Sequence, residues 1–276
     1  MGKVDLHIHT TASDGRFTPA EIVQRAAANG LTYIAITDHD SVDGVIPAQE
    51  AARHIGQITV IGGVEINTDI PSGELHVLGY FVDTNDTELK VTLDRLRSSR
   101  VDRARKMVTK LRGLGMEINY QRVKELAGTG SVGRPHIAQA MLEKGYIGTF
   151  KEAFNKYIGR NCPAYVERDK ITAIEAAQLI LRAKGLPVLA HPFTCENPEN
   201  IISELKVAGL VGLEVYYNSY THEQVQDLLR LAKAYDLVPT GGSDFHGLNS
   251  LNEPPLGTAE VPLASIDRLM EKARGT

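Results

Sequence analysis

The chain has 276 residues and a net charge of -4 at pH 7. It is long enough to bury one large core or two smaller ones, and it lacks the basic balance of a general nucleic-acid binder. No apolar run approaches the roughly 20 residues that span a bilayer, and Asp5 and His7 interrupt any signal-peptide core, so a cytoplasmic protein with no membrane partner is expected.

The elements alternate from the start. "KVDLHIH" reads as a buried strand. Thr18-Pro19-Ala20-Glu21 marks a helix start, with Thr18 as N-cap, Pro19 at the first helical position and Glu21 completing a capping box. That helix stops at Asn29-Gly30. "YIAITDHD" is a second strand with its exit loop, "GVIPAQEAARHIG" a second helix, "ITVIGGVEINT" a third strand and "ELHVLGYFV" a fourth. Nearly continuous apolar strands separated by helices predict parallel strands covered on both faces.

At about Asn85 the rhythm breaks. Up to about Tyr165 the chain reads as helical and more charged, which predicts a helical insertion over 87–165 between barrel segments 1–86 and 166–276. The α/β rhythm then resumes with "TAIEAAQLILRAKG", "LPVLAHP", "ENIISELKVAG", "LVGLEVYYN", "THEQVQDLLRLAKAYD" and "LVPTGGSDFHG", and "PLASIDRLMEKA" closes it. Seven strands fit a barrel one unit short of the eight-stranded (β/α) form, with an open doubly wound sheet as the alternative. Cys162 and Cys195 form no CxxC pair and are expected to be structural. Tryptophan is absent.

Nine histidines stand out. In parallel α/β architectures, sites form at the C-terminal ends of strands. His7 and His9 fall at the end of the first strand, His39 after the second, Glu65 near the end of the third and His76 in the fourth. His191 ends "LPVLAHP", and Asp244 and His246 end "GGSDFH". His7 and His9 stand two apart on a strand and point to one side, where two imidazoles can grip one ion; Asp244 and His246 repeat the spacing. Packed neutral imidazoles each need a hydrogen-bond partner, and a metal meets that need for all of them. His54 and His222 sit in predicted helices and read as surface imidazoles. Asp38 is a candidate to orient a histidine ligand. Asp40-Ser41 reads as a turn or cap before the second helix, and Asp14-Gly15 as either a turn or part of the site.

The ordered set "DLHIHTTASDG", "TDHD", "GVEINT", "AHP" and "GSDFH" resembles the PHP (polymerase and histidinol phosphatase) family, an amidohydrolase-like group. "GELHVLGYF" and "GRPHIAQAM" are similar to its branch of nucleoside 3',5'-bisphosphate phosphatases, some of which act as 5'-to-3' exonucleases on short RNA. The resemblance implies an α/β fold: a distorted seven-stranded (β/α)7 barrel with a helical insertion that caps the substrate. It also implies up to three divalent ions. His7, His9, Glu65 and Asp244 would hold the first, Glu65, His76 and His191 the second, and Asp14, His39 and His246 the third. Ligands of this mixed type suit several first-row metals; the resemblance favours Mn2+, with Fe2+ or Zn2+ as alternatives. The absence of thiolate ligands argues against a closed structural zinc site.

Clustered divalent ions suit phosphoester hydrolysis. Arg134, in "GSVGRPHIAQ", is the candidate for gripping phosphate, because guanidinium matches phosphate oxygens bidentately. His136 follows in the first turn of a helix whose N-terminal N–H groups favour anions. Catalytic work is thus expected of Arg134, His136 and Asp244, and substrate contact of Arg134, His136, Ser131 and Asn218, with Tyr217 beside the last. Arg97, Arg100, Arg103 and Lys106 form either a solvated face or a second phosphate site. The expected reaction removes the 3'-phosphate of a nucleoside 3',5'-bisphosphate, for example pAp to AMP. The alternatives are an exoribonuclease on short RNA, a histidinol phosphate phosphatase, or a metal-binding regulatory domain without catalysis. No obligatory protein partner is inferred.

Overall fold

The structure is a computed structural model. It describes residues 3–70, 73–128, 132–167, 170–195, 197–247 and 254–275. The chain divides into two compact units, one of residues 1–93 and 170–276, the other of residues 94–169. The division falls inside a long helix, α3, after Leu93.

The first unit follows the order β1 (Lys3–Asp5), α1 (Pro19–Ala28), β2 (Leu31–Ile36), α2 (Val45–Ile55), β3 (Thr59–Ile70) and β4 (Gly73–Tyr80), then the start of α3 (Thr87–Gly113). The second unit continues α3 and adds α4 (Tyr120–Ala127), α5 (Arg134–Glu143) and α6 (Phe150–Ala153), which runs into a π-helical turn at Phe154–Ile158. The chain then returns to the first unit with β5 (Ile171–Thr172), α7 (Ala173–Arg182), β6 (Leu186–Leu189), α8 (Pro198–Val207), β7 (Gly212–Tyr217), α9 (His222–Ala234), β8 (Val238–Gly242) and α10 (Leu263–Arg274).

The strands form one sheet in the order β1-β2-β3-β4-β6-β7-β8, with β5 beside β3. Its two ends meet: Leu6 N–H donates to Gly241 O at 3.1 Å, and His9 N–H to Phe245 O at 2.9 Å. The unit is therefore a nearly closed seven-stranded barrel, and the open doubly wound alternative does not apply. One expectation needs correction. β4 runs antiparallel to both of its neighbours, β3 and β6. Only residues 71 and 72 separate β3 from β4, and a parallel crossover needs a dozen or more residues. The long β3 serves both sides, pairing with β2 over Thr59–Gly62 and with β4 over Gly63–Ile70.

Local chemistry accounts for the helix ends. Thr18 caps α1: its hydroxyl accepts from Glu21 N–H, and Glu21 returns a carboxylate to Thr18 N–H at 2.8 Å, the reciprocal pair expected from the sequence. Thr172 and Glu175 repeat the device on α7. Of the turn or cap expected from Asp40-Ser41, the turn forms, with Asp43 N–H donating to Ser41 Oγ at 3.2 Å, and the cap does not. α2 begins after Gly44 with no side-chain cap, and Asp40 instead accepts from Asn67 N–H at 3.1 Å.

Apolar burial builds each unit separately. In the barrel, Leu6, Leu78, Tyr80, Val188 and Val238 pack with Ile266 and Leu269 of α10, and Ile22, Val23, Ile34, Ile36, Ala48 and Ala52 join α1 and α2 to the first strands. The second unit has its own core of Met107, Leu111, Ile118, Val123, Ile137, Met141 and Ile158. Cys195 is buried and Cys162 half-buried, both as free thiols. Among the described residues no helix is long and apolar enough to cross a membrane.

Candidate metal centre

The loops that follow β1, β2, β6 and β8, together with Glu65 inside β3 and His76 inside the antiparallel β4, bring together His7, His9, His39, His76, His191 and His246 with the carboxylates of Asp14, Glu65 and Asp244. Glu65 lies at the centre and is fully buried. Its Oε2 stands 3.3 Å from Nε2 of both His7 and His9 and 2.7 Å from Nδ1 of His39. Its Oε1 stands 2.7 Å from His76 Nδ1 and 3.1 Å from His191 Nε2. Asp244 Oδ1 closes the first group, 3.3 Å from His7 Nε2 and 3.0 Å from His9 Nε2. Asp14 gathers the third: its Oδ1 lies 3.8 Å from His9 Nδ1 and 3.5 Å from His246 Nε2, and its Oδ2 lies 3.9 Å from His39 Nε2. His39 thus shows each ring nitrogen to a different carboxylate. His9 faces the first and third groups at once.

The backbone that presents these groups is strained. His191 has φ +26° and Asp244 φ +53°, in the left-handed region where side chains other than glycine crowd the chain. Glycine lets β8 approach β1, because a Cβ at Gly242 would fall 2.4 Å from the backbone N of His7.

Three further buried carboxylates hold the rim. Asp5 accepts from Ser243 N–H at 2.9 Å, Ser243 Oγ at 2.6 Å and Gly257 N–H at 2.8 Å, tying β8 to β1. Asp38 does not orient a histidine, contrary to expectation. It accepts from Thr10 N–H at 2.7 Å, Thr10 Oγ1 at 2.8 Å and Ser13 Oγ at 2.6 Å, which anchors the loop that brings Asp14 back to the site. Two short hydroxyl side chains in that loop suit a carboxylate better than a distant imidazole does. Burial still pushes the Asp38 carboxyl up to about 6 against those hydrogen bonds. Glu214 is the third, with Oε1 2.9 Å from His7 Nδ1 and Oε2 accepting from His191 N–H at 2.6 Å. Reading the sequence overlooks Glu214. Its signal was a lone acid inside the apolar strand "GLEVYY", where an ionised group needs a partner.

These charges relax only in part as imidazolium–carboxylate pairs. Burial, then the neighbouring His246 and His39, drives the His9 ring down to about 3, so it stays neutral. Burial opposes the charge on His7 as well, but Asp244, Glu214 and Glu65 outweigh it and raise that ring well above the ordinary histidine value. Burial also opposes the charge on Glu65, and His39, His76 and His7 overcome it, so its carboxyl lies well below the usual range. Nε2 of His7, both ring nitrogens of His9, Oε2 of Glu65 and Nε2 of His76 are buried without a hydrogen-bond partner. Leaving such atoms unsatisfied is costly. A thiolate-free set of imidazole and carboxylate donors around these atoms fits divalent first-row cations.

The other expected site residues divide between the two units. Arg134 and His136 belong to the second unit, at the start of α5. The Arg134 guanidinium lies 5.4 Å from the Phe154 ring centroid, and His136 Nδ1 accepts from Gly133 N–H at 3.0 Å. Ser131 lies outside the described residues. Asn218 is exposed and donates to Thr258 Oγ1 at 2.7 Å, whereas its neighbour Tyr217 donates its hydroxyl to Asp244 Oδ2 at 2.9 Å. Arg103 and Lys106 line a cavity of about 320 Å3 with Arg95, Ser98, Asp102 and Glu167; Arg97 pairs with Asp94 on the helix surface. His54 and His222 sit in α2 and α9, apart from the cluster.

A barrel whose strand ends converge imidazoles and bridging carboxylates defines the class of a metal-dependent hydrolase. The sequence model of the PHP domain matches residues 5–238. The chain belongs to the PHP domain family and is a metal-dependent phosphoesterase of that family. It is 35% identical to a 5'-3' exoribonuclease of Haemophilus influenzae, over 88% of this chain and 90% of that one. It is 30% identical to a 3',5'-nucleoside bisphosphate phosphatase of Chromobacterium violaceum, over 89% and 88%. A solved structure from Bifidobacterium adolescentis, described as a metal-dependent phosphoesterase, is similar with a TM-score of 0.86 and 29% identity, covering 98% of this chain and 96% of that one.

Proposed function

We propose that this protein hydrolyses the 3'-phosphate of nucleoside 3',5'-bisphosphates with up to three bound divalent ions, Mn2+ foremost. The observation that carries the reading is the central Glu65, with one oxygen toward His7, His9 and His39 and the other toward His76 and His191. A bridging carboxylate of this kind suits adjacent ions. His7, His9, Glu65 and Asp244 would hold one ion, Glu65, His76 and His191 a second, and Asp14, His39 and His246 a third. When bound, such ions neutralise phosphate oxygens and generate hydroxide at neutral pH.

The chain's own groups then set geometry. Tyr217 donates to Asp244 Oδ2, which leaves Oδ1 turned to His7 and His9. His246 Nδ1 donates to Asp244 O at 2.8 Å, which turns Nε2 toward Asp14. Arg134 and His136 are assigned to substrate phosphate on the resemblance of "GRPHIAQAM" together with their place at a helix N-terminus.

A second reading is favoured by the Haemophilus relative. A 5'-to-3' exoribonuclease that releases a 5'-nucleotide breaks the same bond, 3'-O to phosphorus, on a nucleoside carrying a 5'-phosphate. The two readings differ only in what extends beyond the scissile phosphate. The test is a rate comparison with Mn2+ on pAp, short 5'-phosphorylated oligoribonucleotides and nucleoside monophosphates. Fastest release of phosphate from pAp supports the first reading and fastest release of nucleotide from oligoribonucleotides the second. Equal rates on monophosphates and pAp would remove the bisphosphate assignment.

A further inference from the structure

We propose that Glu214 is a positioning residue that couples two ion sites, one of its oxygens setting the tautomer of His7 and the other holding the strained backbone at His191. This rests on the metal reading above and goes beyond its ligand set. Glu214 is fully buried in β7 and belongs to none of the donor groups described above. Each oxygen serves a different group. Oε1 lies 2.9 Å from His7 Nδ1, and Oε2 accepts from the backbone N–H of His191 at 2.6 Å.

A carboxylate only accepts. Once neutral, as a ligand to a metal must be, the His7 ring therefore carries its proton on Nδ1, and Nε2, which faces Glu65 and Asp244, keeps its lone pair toward the first site. His191 sits at φ +26° and ψ +62°, a conformation that needs support from its surroundings. The short bond from its N–H supplies that support and keeps Nε2 within 3.1 Å of Glu65 Oε1 and of His76 Nδ1. One side chain thus preorganises a ligand on each side of Glu65. His7 and Glu214 stand 207 positions apart in sequence.

Glu214→Gln separates the two functions. An amide has one acceptor oxygen, and the His191 N–H can only donate, so the oxygen goes there. The amide NH2 then faces His7 Nδ1 and forces the proton onto Nε2, against the first site. Glu214→Ala removes both supports. The experiment titrates each protein with Mn2+ and counts free ion by electron paramagnetic resonance, with His7→Ala and His191→Ala as references and circular dichroism as the check on fold.

The expectation is that Glu214→Gln weakens by about 10–100-fold only the binding lost in His7→Ala, whereas Glu214→Ala also weakens the binding lost in His191→Ala. A Gln variant that binds as the wild type does, or one that weakens every site alike, overturns the proposal. Wild type that binds no Mn2+ overturns the metal reading itself. Should the variants fail to fold, ring 15N spectra of zinc-loaded wild type decide: a proton on His7 Nδ1 supports the proposal, and a proton on Nε2 overturns it.

Discussion

The two units carry charge in opposite ways. In the barrel unit, Asp5, His7, His9, Asp38, Asp40, Glu65, His191 and Glu214 are all buried. In the second unit the described charged side chains lie mostly on helix surfaces, with Arg103 the buried one among them. A buried charge persists only when paired or hydrogen-bonded, and the carboxylates Asp5, Asp38, Asp40, Glu65 and Glu214 each have a partner within about 3 Å. A surface charge reports little, because solvent screens it. The chemistry of the barrel can therefore be read from its hydrogen bonds, whereas that of the helical unit must be read from substrate dependence.

The largest expected effect tests the barrel side of that contrast. Asp244→Asn keeps shape but removes the charge that faces His7 and His9. We expect turnover to vanish and metal content, measured by elemental analysis, to fall, with circular dichroism unchanged. A variant that keeps full metal and rate would show that Asp244 serves the fold and not the ion.

Arg134→Ala probes the other unit. A charge-assisted hydrogen bond contributes about 1.5–3 kcal/mol, so kcat/KM should fall roughly 10–100-fold, mainly through KM, while metal content stays that of the wild type. Arg134→Lys should recover only part, because an ammonium cannot offer the planar fork. Loss of metal in Arg134→Ala would erase the distinction between the two units.

Legibility in the sequence follows the same contrast. The pairs His7/His9 and Asp244/His246 were readable from their period-two spacing, although all four stand just beyond the last residues of β1 and β8 and Asp244 takes a left-handed φ. The Thr18-Glu21 cap was readable because its partners are three residues apart. The roles of Asp5, Asp38 and Glu214 were not, since their partners lie on other strands and a lone acid in an apolar run says only that a partner exists. The reversal of β4 was written in the two-residue link at 71–72 but was masked by an apolar pattern that parallel and antiparallel strands share when both faces are buried. The two-residue β5 is too short to leave any periodicity.

Asp14→Ala refines the barrel side with a smaller change. Its distances of 3.5–3.9 Å to His246, His9 and His39 are longer than those from Glu65 to its imidazoles. The third group should therefore be the weakest. We expect activity within about tenfold of wild type, recovering as Mn2+ is raised, whereas Asp244→Asn should not recover. An Asp14→Ala enzyme with unchanged metal dependence would return Asp14 to the role of a turn residue before Gly15.

The smallest effect concerns the basic face of α3. Arg97 pairs with Asp94 one turn earlier on the helix, and the aspartate is well exposed at 65%. Exposed pairs of this kind contribute about 0.3–0.5 kcal/mol at most. Arg97→Ala should then leave both stability and KM for a monophosphate nearly unchanged. A second phosphate site would show itself differently: KM would rise for a 3',5'-bisphosphate and not for the 3'-monophosphate, and the difference would shrink as salt is added, because added ions screen a surface charge. The same pair of substrates applied to Lys106→Ala separates the cavity beside Arg95, Arg103 and Glu167 from the rest of the helix. If Lys106 responds to the second phosphate and Arg97 does not, the anion preference belongs to that cavity. If neither responds, the positive charge of α3 is a solvated face and the second phosphate is recognised by other residues.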